Sequence, residues 1–325
     1  MNQDLLIILA ALGLLGSLAQ WFSWWVKLPA ILFLLLIGLI AGPVTGWFNP
    51  DAVFGQLLFP IVSLSVAVIL FEGSLTLNLR ELKGIEQVVL RLVSIGVAVT
   101  WLIITIATHY IMQLQWSLAM LFGALVVVTG PTVIVPMLRT VRPTVRIANI
   151  LRWEGIVIDP VGALLAVLVF DFIVASQQGH GGLFSIALVF GKTIGIGILL
   201  GIAAGQLHGV ILRRHLLPEY LHNVATLTLV FSVFALANHL QEESGLLAVT
   251  LMGMWLANMR NVPIEEILSF KESLSLLLIS GLFIILAARI DGPQLIQMGW
   301  GALGVFLVIQ FIARPIKVLV STTGS

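Results

Sequence analysis

Apolar runs close to a bilayer's thickness recur eleven times along this chain, with little but short loops between them. A helix needs about 20 mostly apolar residues, rising roughly 1.5 Å each, to cross the hydrocarbon of a membrane. On that template the sequence predicts spans at 5–22, 29–42, 55–73, 90–112, 116–138, 149–175, 184–211, 219–239, 244–259, 271–288 and 298–320. The second is short, held between Pro29 and Pro43. Backbone groups find no water in lipid, so the fold class that follows is an all-α polytopic membrane protein of about 11 transmembrane helices. Composition agrees: 10% of the residues are charged, against about 25% in soluble domains. A soluble chain could not hide the 59% that are hydrophobic.

The loops test this reading independently, because Lys and Arg concentrate on the cytoplasmic side. Lys27 follows the first run; Arg80, Lys83 and Arg91 follow the third. Arg139, Arg142, Arg146 and Arg152 lie between the fifth and sixth, Arg213 and Arg214 after the seventh, and Arg260 and Lys271 after the ninth. The alternate loops at 43–54, 113–116, 176–183 and 239–243 hold no Lys or Arg. The expected topology puts the N-terminus outside and the chain's C-terminal end, with Arg314 and Lys317, in the cytoplasm. The first run lacks the basic segment of a secretory leader and is expected to stay as the first helix.

Several functions lose support at this point. A net charge of +1, without a basic stripe interleaved with aromatics, gives nucleic acid no footprint. The absence of cysteine removes disulfides, thiolate metal sites and thiol chemistry. His109, His180, His208, His215, His222 and His239 show no metal-ligand spacing and read as interfacial. No nucleophile elbow, phosphate loop or zinc helix is present, so the chain does not read as an enzyme and no cofactor is expected.

Charges inside the membrane need a reason, since each costs about 2.5–3.5 kcal/mol on insertion scales. Glu72, Glu154, Asp159, Lys192 and Arg314 are such residues. Asp159 stands in Trp153-Glu154-Gly155-Ile156-Val157-Ile158-Asp159-Pro160, ahead of an apolar run, and Pro160 loosens the helix beside it. At that depth a proton and a cation can compete for one carboxylate. Glu154 lies on a different face of the same helix and reads as structural. Lys192 reads equally as a bundle-interior ion-pair partner or as a snorkelling cation. Thr129-Gly130-Pro131, in mid-span, cannot continue a regular helix. Transporters use such breaks to offer carbonyl oxygens to cations, whereas a plain proline kink is the simpler alternative.

Four stretches carry a resemblance to a known family: Leu70-Phe71-Glu72-Gly73-Ser74-Leu75, Val128-Thr129-Gly130-Pro131, Glu154 to Pro160, and Glu243-Ser244-Gly245-Leu246-Leu247-Ala248. Together with Arg314-Pro315, and in this order, they make the whole chain resemble the monovalent cation:proton antiporter-1 family of sodium/proton exchangers. The resemblance implies a 13-helix inverted-repeat antiporter fold with a broken helix at Thr129–Pro131, and a homodimer whose core domain moves against a dimerisation domain. It implies secondary antiport of Na+ or K+ against H+, with Asp159 binding the monovalent cation and the proton in turn. Thr129 would add backbone oxygen, Glu72 a further ligand or gate acid, and Glu154 would pair with Arg314 to hold the core. Residues 1–325 would form a single transmembrane transport domain in a bacterial inner membrane, lacking the last two family helices. A cytoplasmic regulatory region in the full-length protein is compatible with it.

Departures from the family pattern bear on the ion. Its Thr-Asp-Pro is here Thr129-Gly130-Pro131, its Asn-Asp pair is Ile158-Asp159, and Gly155 replaces a frequent Ser. The site is therefore expected to be less polar than in the family, which leaves the ion and the stoichiometry open. A passive cation channel and an organic-solute symporter are the alternative readings.

Overall fold

Leucine, isoleucine, valine and alanine leave the backbone of each run only its own carbonyls to bond with, and helices result. The computed structural model describes residues 3–130, 133–134, 137–138, 141–178, 183–260, 262, 264–292 and 298–323, and among these every regular element is helical. Pro131 and His180 lie outside the described residues. In chain order the elements include α1 (Gln3–Val26), α2 (Ala30–Leu39), α3 (Pro50–Phe54), α4 (Leu58–Leu75), α5 (Glu86–Val93), α6 (Ile95–Met112) and α7 (Trp116–Val126). There follow α8 (Val145–Gln178), α9 (Leu183–Arg213), α10 (Glu219–Leu240), α11 (Ser244–Ala257), α12 (Ile264–Ala288), α13 (Gly299–Val308) and α14 (Arg314–Thr322). Among the described residues seven stretches are long and apolar enough to cross a membrane, and shorter apolar helices lie at 30–44, 116–126, 244–257 and 273–288.

The helices pack in three neighbourhoods. Helices α1, α2, α12 and the start of α4 share a core of Leu12, Leu34, Phe48, Leu58 and Ile284. The rest of α4 joins α9, α10 and α11 around Phe71, Val230, Phe234 and Met252. Helices α5, α6, α7 and α8 form the third, with α13 and α14 laid along α6.

No short repeat stands out when the sequence is read for composition, yet α9 carries Gly197, Gly201, Gly205 and Gly209 at every fourth residue. In lipid, small residues let helix backbones approach where no hydrophobic force draws them together. A Cβ on Gly201 would lie 2.5 Å from the Ala248 carbonyl oxygen of α11, an atom that cannot move aside. Gly201→Leu is therefore expected to cost about 1–3 kcal/mol by overpacking. Gly195→Leu, on a face with nothing within 4 Å, is the control. Apparent melting midpoints in detergent check this pair, and equal midpoints would remove the close-packing account.

The same seam buries two of the histidines read as interfacial. His208 and His222 are each almost fully covered. Thr226 Oγ1 donates to the His222 carbonyl (2.6 Å) and so accepts from His208 Nε2 (2.8 Å), which sets the His208 tautomer. His208 thus links α9 to α10, while His222 Nε2 pairs with the Leu217 carbonyl just ahead of α10.

Candidate functional site: a helix break against one face of α8

The fifth apolar run does not continue as one helix. Helix α7 stops at Val126, residues 128–130 have no helical pairing, and helical backbone resumes at 133–134. The Gly130 carbonyl accepts from Val133 N and Ile134 N, at 3.2 and 3.4 Å, and so starts the second piece. Helix α7 therefore ends at Val126 inside the apolar layer, where its last unpaired carbonyls are tolerated only against protein or water.

Helix α8 covers that break with a face built for close approach. Gly155, Asp159 and Gly162 recur at a spacing that puts them on one face. A Cβ on Gly155 would stand 3.3 Å from the Thr129 carbonyl oxygen, and one on Gly162 would stand 2.2 Å from Val128 Cγ2. The two glycines thus bring the broken strand of chain onto α8, and Asp159 lies between them. Its Oδ1 is buried and meets no hydrogen-bond donor among the described residues; the same holds for Thr129 Oγ1. Pro160, within α8, supplies no N–H to the Ile156 carbonyl one turn earlier. A buried carboxylate oxygen next to a broken backbone is unstable unless a proton or a cation supplements it. Ile158, where the family pattern has Asn, is 0% exposed and packs with Val97 and Val127. It fills core rather than facing an ion.

Glu154 is anchored differently from the expectation. Its partner is Lys317, whose Nζ stands 2.5 Å from Glu154 Oε1, and not Arg314. Lys317 is 4% exposed and Glu154 7%. A wide-turn segment at Ile309–Ala313 precedes α14, and an inserted residue of that kind rotates the helix that follows it. Ala313, Lys317 and Ser321 become the inward stripe, leaving Arg314 a residue away on the exposed side. Helix α14 seats on α6 at Gly96, where a Cβ would meet Ser321 Oγ at 2.9 Å and Lys317 Cγ at 3.0 Å.

The other expected residues are spread more widely. Glu72 is half-buried near the end of α4, and its neighbour Gly73 faces the Ile156 side chain of α8 at ordinary contact distance. Lys192 is exposed on α9, beside Gly191 and Gly195, which have nothing within 4 Å; it is not an interior ion-pair partner among the described residues. The Glu243–Ala248 stretch is the start of α11, with Glu243 ending the turn before it and Ser244–Ala248 already helical. Glu243 takes a left-handed φ of 62°, Ser244 Oγ donates to the Ala237 carbonyl at 2.7 Å, and Gly245 N donates to Asn238 Oδ1 at 2.8 Å. Burial and the neighbouring Glu242 push the Glu243 carboxyl above the usual range.

Known proteins match this chain over nearly its whole length. The K(+)/H(+) antiporter NhaP of Alkalimonas amylolytica is 28% identical over 97% of this chain, which spans about half (54%) of that protein. Na(+)/H(+) antiporter 1 of Methanocaldococcus jannaschii is 29% identical over 99% of the chain and 78% of its own length. The structure of the sodium proton antiporter MjNhaP1 from Methanocaldococcus jannaschii at pH 8 superposes with a TM-score of 0.83 and 27% identity, over 99% of this chain and 80% of that one. The sequence profile described as "Sodium/hydrogen exchanger, transmembrane" matches residues 7–325. This chain is an integral membrane protein, and it belongs to the sodium/hydrogen exchanger family.

Proposed function

We propose that this protein exchanges a monovalent cation, Na+ or K+, for protons across a membrane, with Asp159 holding each in turn. The observation that carries the reading is the buried Asp159 Oδ1, lacking a donor and set between two glycines against the break at Thr129. In this mechanism the bound proton neutralises the buried carboxyl. On losing its proton it binds a cation, which the Thr129 carbonyl helps to strip of water. Competition at one carboxylate couples the two fluxes with no covalent step, so the protein acts as a transporter rather than an enzyme. Glu72 serves as an accessory acid on the approach, and the Glu154–Lys317 pair keeps α8 and α14 moving as one body. Family membership and the names of the relatives support this antiport.

The same reading makes all eleven apolar stretches cross the bilayer, with the basic loops cytoplasmic and the N-terminus outside. It also makes the protein a homodimer in which the neighbourhood around α8 moves against the others. Relatives are named for both K(+)/H(+) and Na(+)/H(+) exchange, and Gly155, Gly130 and Ile158 offer no side-chain oxygen to separate the two ions. The test is proton movement in inside-out vesicles carrying the full-length protein, followed with a pH-gradient dye as Na+, K+ or Li+ is added. Cation-dependent collapse of the gradient is the expected result and ranks the ions. A cation current without proton movement would mean a channel and sink the reading.

A further inference from the structure

Where α1 and α2 meet α12, a small cavity is lined by Gln20, Ala30, Leu34, Leu276 and Ile279, with Val133 reaching in from just past the helix break. Among its lining residues Gln20 alone has a polar side chain. An amide against an apolar wall is costly unless its atoms are bonded or meet a polar visitor. Proton accounting settles which atom is held. Ser280 Oγ donates its single proton to the Leu276 carbonyl at 2.7 Å, so it can only accept from Gln20 Nε2, 3.1 Å away. The amide nitrogen is therefore turned to α12, and the carbonyl oxygen is left for the cavity. Ser280 is itself nearly buried, which holds the arrangement in place. Gln20 sits near the end of α1 that leads into Lys27, and Val133, just past the helix break, lines the same cavity.

We propose that Gln20 is a cation-contact residue on the route between the basic face and Asp159, its amide oxygen lending an entering Na+ or K+ one ligand as water is shed. The inference rests on the antiport reading. Under it, α1 belongs to the part that stays still, and Gln20 meets the cation only when Asp159 opens to the basic side. Replacing the oxygen should then weaken cation entry from that side and not from the other.

The experiment uses vesicles of both orientations carrying the full-length protein, with initial rates of proton movement measured against Na+ and K+ concentration. Gln20→Leu is expected to raise the cation KM at the basic face about tenfold, while KM at the opposite face and the maximal rate stay within about threefold. Gln20→Glu, which keeps an oxygen at the same reach, is expected to leave that KM at or below its starting value. Should Gln20→Leu fail to insert, Gln20→Met keeps the length without the oxygen and is expected to behave as Gln20→Leu would. An unchanged KM at the basic face, or an equal loss at both faces with a fall in maximal rate, overturns the proposal. A parent protein that moves no protons in response to cations overturns the antiport reading itself, a result distinguishable from the failure of Gln20 alone.

Discussion

Asp159→Asn is expected to abolish cation-driven proton movement, to below about one hundredth of the parent rate, while the protein still inserts and folds. The loss follows from the chemistry of the site. An amide has nearly the shape of the carboxylate it replaces, but it can neither release a proton nor carry the charge that holds a cation. Since a hundredfold change corresponds to about 2.7 kcal/mol, the effect asked of this one carboxylate is modest for a largely buried ionic contact. The same substitution removes a charge from beside the break, so the melting midpoint is expected to hold or rise. The measurement is dye-reported exchange in inside-out vesicles, normalised to protein amount, beside a melting curve in detergent. Exchange above a tenth of the parent rate would show that another group carries the ions. A collapse of folding in Asp159→Asn would recast the carboxylate as structural.

The second large effect concerns the link between α8 and α14. Removing one member of a buried ion pair strands the other, at a cost of about 3–5 kcal/mol. Glu154→Gln and Lys317→Met are each expected to lower the melting midpoint by an amount in keeping with that cost. The double variant Glu154→Leu with Lys317→Met should recover much of the loss, because two apolar side chains of similar volume leave no uncompensated charge. Arg314→Ala is expected to change stability by no more than about 0.5 kcal/mol, as an exposed side chain without a described partner. The pattern of four midpoints decides the partner of Glu154. A large loss in Arg314→Ala, with Lys317→Met close to the parent, would return the pair to the arrangement expected from the sequence.

The Arg314 expectation failed for a geometric reason. Sequence spacing assumes a uniform helical turn, and Ile309–Ala313 forms a wider one. A shift of one residue changes which of Arg314 and Lys317 points inward, and nothing in the order of residues announces it. Lys192 stands open between two readings in the sequence. A cation among apolar residues is equally unusual on a helix that faces the bundle and on one that faces outward, so only packing could tell them apart. The glycine stripe of α9, by contrast, was readable from Gly197 to Gly209 by its period alone. Gln20 had no signal at all, since its meaning comes from Ser280, far along the chain.

Hydropathy is a property of each run by itself, so the sequence alone determined that this is an all-helical membrane protein, where its apolar runs lie, and that helix geometry fails near Thr129. It also singled out Asp159, because a lone acid in an apolar run is costly wherever the run packs. Tertiary structure decided what each charge meets. Only the folded chain sets Asp159 between Gly155 and Gly162 against the break, gives Glu154 to Lys317, and turns Lys192 outward. Those outcomes depend on helix rotation and close approach, which arise from contacts between residues far apart in sequence and leave no local trace.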